Sequence, residues 1–128
     1  VTAKTRQDAR VPAHPAIEDV TMQQVLEALA DPIRRAIVRG LYASGEDRAC
    51  GTFPMVVSKS TGTHHFKVLR EAGLIRQYYV GTSRMNSLRR TDIDAAFPGL
   101  LDAVAGHPEP APGAPPPPTR RVGGGDGA

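Results

Sequence analysis

Residues 58–75 read SKSTGTHHFKVLREAGLI. Ser58 is a favoured helix N-cap, because its hydroxyl accepts from a backbone N–H that the first turn leaves unpaired. Gly73 is a favoured terminator, since many helices end on a left-handed residue. Between them Phe66, Leu69 and Ala72, with Val68 alongside, fall at helical spacing. Lys59, Ser60, Thr63, His64, Lys67 and Arg70 occupy the other face. The pattern predicts one amphipathic helix over 58–72 with a greasy underside and a hydroxyl-and-cation upper side. His64 and His65 are adjacent and point about 100° apart on a helix, so they do not chelate one ion together. His64 belongs to the polar face, and His65 is expected to pack and hydrogen-bond.

Beyond Gly73 the period changes from helical to extended. Leu74–Val80 is rich in β-branched and aromatic residues, Gly81-Thr82-Ser83-Arg84 reads as a turn, and Met85–Arg90 returns as a second strand. A helix followed by two strands joined through a basic turn forms a wing. Upstream, Thr21 caps a helix whose Met22, Val25, Leu26 and Leu29 make one apolar stripe. Asp31-Pro32 starts another, with Asp as cap and Pro where a missing N–H costs nothing. Ile33, Ala36, Ile37 and Leu41 line its buried face, Arg34 and Arg35 point away, and Gly45 ends it. Gly51 and Pro54 argue against a long helix over Glu46–Val57, which reads as a single helical turn or an irregular loop. Downstream, Phe97, Leu100, Leu101 and Val104 repeat the stripe, with Pro98 where a helix begins. The fold class is mainly α with a β-hairpin wing (α+β), a winged helix-turn-helix.

The ordered part is expected over 19–105, one small domain in a chain of 128 residues. Residues 1–18 lack apolar periodicity and read as a flexible arm. Residues 106–128 hold seven Pro and six Gly, too little side chain to offset the ordering entropy, and read as a disordered tail. Aromatics are 5% with no Trp, so the core is expected to be aliphatic. The single Cys50 excludes an internal disulfide and suits a reducing cytoplasm. Apolar runs stop at three residues, such as Met55-Val56-Val57, too short for a membrane span.

Residues 58–90 carry seven basic groups and one acid, whereas the rest of the chain carries nine basic and twelve acidic groups. A helix can enter the B-DNA major groove, about 12 Å wide, when one face anchors it and the other offers short polar and basic groups. The hydroxyls near the helix start suit phosphate oxygens, and Arg84 at the hairpin tip suits the backbone or minor groove. Double-stranded DNA is the partner these features point to. No glycine-rich phosphate loop and no nucleophile with a base partner is evident, which disfavours an enzyme. A partner protein is the competing class, because four consecutive prolines in the tail can adopt polyproline II for docking.

Together, LADPIRRAIVRGLY (29–42), SKSTGTHHFKVLREAGLI (58–75) and YYVGTSRMNSLRR (78–90) resemble the ArsR/SmtB family of bacterial winged-helix repressors over roughly 20–104. The resemblance implies a homodimer, joined through the first and last helices, that represses from a palindromic operator. Carried over, Ser60, Thr61, Thr63, His64 and Lys67 face the major groove and Arg84 sits on the wing. Met22, Val25, Leu26, Leu29, Phe97, Leu100, Leu101 and Val104 supply the interface.

The chain departs from the family in two places. Gly62 stands where the family's helix usually has an apolar residue, on the buried face four residues before Phe66. Glycine inside a helix costs about 0.5–1 kcal/mol relative to alanine, so Gly62→Ala, like Gly62→Leu, is expected to stabilise the fold. A lower thermal midpoint in Gly62→Ala would contradict this. The second departure concerns sensing, because Cys50 lacks the second thiol of the family's Cys-x-Cys sensor. The family's other sensor site draws on the last helix, where Asp92, Asp94, Asp102, His107 and Glu109 are candidates, with His14 from the arm. Such ligands suit zinc or nickel as an effector, and no cofactor is required. The alternative is an acidic helix start in which Asp92 and Asp94 favour the helix dipole.

Overall fold

A computed structural model describes Arg10 and residues 13–53, 58–116 and 118–119. Most of the expected arm, Pro54, Met55-Val56-Val57, the Lys59 side chain, one of the four consecutive prolines and the end of the tail lie outside the described residues. After a 3-10 turn at Ile17–Asp19 come α1 (Met22–Leu29) and α2 (Pro32–Ser44). A short strand, β1 (Arg48–Ala49), and a 3-10 turn at Cys50–Thr52 lead towards α3 (Lys59–Glu71). The hairpin β2 (Ile75–Val80) and β3 (Ser83–Leu88) follows, then α4 (Arg90–Ala96) and α5 (Leu100–Ala105).

The caps form as the local chemistry demands. Thr21 Oγ1 accepts from the Gln24 N–H at 3.1 Å while Gln24 Oε1 accepts from the Thr21 N–H at 3.0 Å, so two first-turn donors are satisfied reciprocally. Asp31 Oδ1 accepts from the N–H groups of Ile33 and Arg34 at 2.7 and 3.2 Å. Ser58 caps α3 through the Thr61 N–H. Gly73 follows α3 with φ of +80°, and Leu74 N–H bonds back to Leu69 O, closing the helix and turning the chain into β2.

Arg34 and Arg35 do not point away as expected. Arg34 Nε donates to Ala28 O at 2.6 Å and Arg35 Nη1 to Leu29 O at 2.7 Å. Both guanidinium groups satisfy the last carbonyls of α1, where a helix end attracts cations. One Asp-Pro-x-Arg-Arg segment thus starts α2 and closes α1.

The strands pair antiparallel in the order β1-β3-β2, with Ile75 opposite Leu88 and Gln77 opposite Asn86. The second strand of the wing was expected over 85–90; it begins instead at Ser83, and Arg90 already belongs to α4. The two strands therefore meet through Gly81-Thr82 alone, with Gly81 at φ +60°. The segment 46–57 holds a strand as well as the expected turn, because Arg48 and Ala49 pair with Asn86 and Met85.

The core is aliphatic, centred on Val25, Ile37, Val38, Leu69, Leu74, Ile75, Ile93 and Leu101. Each such side chain contributes about 1.5–3 kcal/mol on full burial. The last helix, expected to begin at Pro98, begins at Leu100 after Gly99 takes φ +84°, and a separate helix, α4, precedes it. Ile93 from α4 and Leu101 from α5 both enter the core, and α5 packs on α2.

Among the described residues of 1–18 and 106–128, a few make contacts with the folded elements. His14 Nε2 accepts the Gln77 N–H of β2 at 2.9 Å, and Pro15 O accepts from Arg89 Nη1 at 2.8 Å. At the other end Glu109 bridges Arg35 and Arg39 of α2, which pins the start of the proline-rich segment.

Candidate nucleic-acid interface

On α3 the N-terminal polar side chains Ser60, Thr61, Thr63, His64 and Lys67 are exposed, while Phe66, Leu69 and Ala72 are buried beneath them. The Phe66 ring packs against Phe53 at a centroid distance of 5.5 Å, fixing the helix by its underside. The exposed face thus gathers hydroxyls, an imidazole and a cation on a rigid element. Arg84 lies on β3 beside it, half-buried, with its guanidinium 5.8 Å from the centre of the Tyr79 ring.

Arg70 does not join that face. It is 4% exposed and Nη1 donates to Gln77 Oε1 at 2.7 Å. Position 70 lies four residues after Phe66 in the row Gly62–Phe66–Arg70, which runs along the side of α3 that the hairpin covers. That spacing was the available signal, and the charge concealed it. The Gln77 amide then donates to Asn86 Oδ1 at 2.8 Å, and Asn86 Nδ2 to Arg48 O and Cys50 Sγ. A buried polar chain therefore links α3 to both strands of the wing and to the turn that holds Cys50.

His65 is buried and its Nδ1 accepts from Arg34 Nη1 at 3.1 Å. Burial pushes its pKa below the ordinary imidazole value, with Arg34 and His64 acting the same way and Asp31 opposing. Burial also lowers His14, aided by Arg70, Arg89, Arg76 and Arg84. Both are neutral in the folded chain at neutral pH, whereas the unfolded chain takes up protons near 6.5. Their stabilisation is complete above that value and is lost as pH falls through the depressed folded values. The urea midpoint is expected to drop between about pH 7.5 and about pH 5.5, above the carboxylate range, and less so in His14→Gln/His65→Gln. A midpoint flat across that interval contradicts the prediction.

The candidate metal ligands are not brought together within one chain. Asp92 pairs with Arg89, Asp94 faces Arg90, Asp102 accepts from the Tyr42 hydroxyl, and His14 is held on β2. His107 is exposed beyond α5. Among the described residues no three His, Cys, Asp or Glu side chains gather where a metal ion could be held. Of the residues expected at a dimer interface, Val25, Leu29 and Leu101 lie in the chain's own core. Phe97, Leu100 and Val104 pack partly against that core, and Met22 and Leu26 remain 43% and 50% exposed on α1. Among the described residues no helix is long and apolar enough to cross a membrane.

A family model described as a helix-turn-helix domain matches residues 29–78. The chain is 36% identical over 89 residues to YceK of Bacillus subtilis (strain 168), described as an uncharacterized HTH-type transcriptional regulator. That alignment covers 68% of this chain and 89% of YceK. The crystal structure of an ArsR family transcriptional regulator superposes with a TM-score of 0.52 at 24% identity, covering 64% of this chain and 90% of that one.

Proposed function

The chain belongs to the helix-turn-helix transcriptional regulators, with the winged fold of the ArsR family, and we propose that it binds a palindromic operator as a homodimer and represses transcription in the cytoplasm. The observation that carries this reading is the exposed hydroxyl-and-cation face of α3 above the buried Phe66, Leu69 and Ala72. In the proposed complex that face enters the major groove, with Ser60, Thr61, Thr63, His64 and Lys67 towards the bases. Arg84 and the hairpin lie along the backbone or minor groove. The partner copy covers Met22 and Leu26 on α1, together with the half-buried Phe97, Leu100 and Val104.

Titration of the native upstream DNA at several salt concentrations tests the reading. With about six phosphates neutralised per dimer, log affinity is expected to fall with log salt at a slope of about −5. A near-flat response overturns the groove-and-phosphate arrangement.

A further inference from the structure

Between α3, the wing and the Cys50 turn lies an open cleft of about 760 Å³. That is within the range of small-molecule pockets, about 300–1,000 Å³. Its walls combine the rings of Phe53, Phe66 and Tyr79 with the cations of Arg70, Arg84 and Lys67. No carboxylate lines it among the described residues. Arg70 and Arg84 instead share one neutral acceptor, Gln77 Oε1, at 2.7 and 3.2 Å. The Nε–H groups of both are buried without any hydrogen-bond partner.

Two guanidinium groups on a single amide oxygen are electrostatically unfinished. A buried cation without a counter-charge is expensive, and a second cation beside it raises the cost. An oxyanion bound beside the two guanidinium groups would neutralise the pair, because guanidinium geometry suits a carboxylate bidentately. The aromatic walls then fit an apolar body behind that head.

We propose that this cleft is a ligand site for a small aromatic or otherwise apolar carboxylate, held through Arg70 and Arg84. A duplex phosphate is the competing source of oxyanion, but Arg70 is only 4% exposed, which favours a molecule small enough to enter the cleft. Lys67 and Arg84 belong both to the cleft and to the proposed DNA surface, so an occupied cleft draws cations away from DNA and weakens operator binding. This regulatory consequence rests on the DNA-binding reading above; the ligand site does not.

The test therefore begins with the full chain free of DNA. Sodium benzoate, and benzamide as its neutral analogue, are titrated at constant ionic strength while the arginine Nε–H resonances are followed by NMR. Saturable shifts of Arg70 and Arg84 with benzoate, absent with benzamide, are expected. Arg84→Gln should weaken benzoate about tenfold or more, as should Arg70→Gln. No saturable benzoate shift in the wild-type chain overturns the site whatever the variants do, and so does an equal response to benzamide. Loss of DNA affinity in Arg70→Gln, when free wild-type protein ignores benzoate, assigns the pair to a backbone phosphate and also overturns it. With the site established, benzoate is expected to raise the apparent Kd for upstream DNA; an unchanged Kd overturns the coupling alone.

Discussion

Gly73→Ala is expected to lower the stability of the chain by about 2–4 kcal/mol, enough to move the thermal midpoint by about 10 °C or more. Two costs add at this position. The backbone sits at φ +80°, where alanine loses about 1 kcal/mol relative to glycine. A Cβ there would also stand 2.4 Å from Val20 Cγ2 and 3.3 Å from Cγ1, and Val20 is itself buried. Something must then move, and what moves is the junction that turns the chain from α3 into the wing. Gly81→Ala separates the two costs, since Gly81 has φ +60° but nothing within 4 Å of an added Cβ. It should lose only the conformational share. Calorimetry on both variants, with Gly73→Ala/Val20→Ala recovering part of the clash, measures the difference. Equal losses at 73 and 81 would show that contact with Val20 contributes nothing.

Thr63→Ala/Lys67→Ala is expected to lower operator affinity about 100-fold while leaving the fold intact, since one good base contact is worth about 1–3 kcal/mol. Both side chains are exposed, so their truncation leaves the apolar underside of α3 unchanged. Lys67→Ala alone sorts its role. If it contacts phosphate, affinity falls for all sequences and the salt slope loses about 1; if it contacts a base, the slope holds and specificity relaxes. Wild-type affinity in the double variant at wild-type thermal stability would remove α3 from the DNA surface.

Much of this molecule was legible along the chain. The caps at Thr21, Asp31 and Ser58 and the terminators at Gly45 and Gly73 depend only on local hydrogen bonding and glycine's left-handed freedom. The buried stripe of α3 followed from its 3.6-residue period. What escaped has a physical reason in each case. β1 spans two residues, too short for any alternation to register, and exists because β3 offers it a partner edge. Arg34 and Arg35 lie off the apolar stripe of α2, but long side chains reach back to the carbonyl end of the preceding helix. Arg70 reads as part of the polar face, yet the wing folds over its side of α3.

The DNA-facing candidates on α3 follow from sequence because one helix carries both their anchor and their chemistry. The cleft does not, because Phe53, Arg70, Gln77 and Arg84 meet only when the wing packs against α3. The apolar stripes show the same division. Periodicity marks Met22, Val25, Leu26 and Leu29 as one face, but docking buries Val25 and Leu29 and leaves Met22 and Leu26 uncovered. Local sequence sets which side chains share a side of a helix, since backbone geometry repeats every turn. Burial depends on the direction from which another element arrives, and that is fixed by the packing of the whole chain.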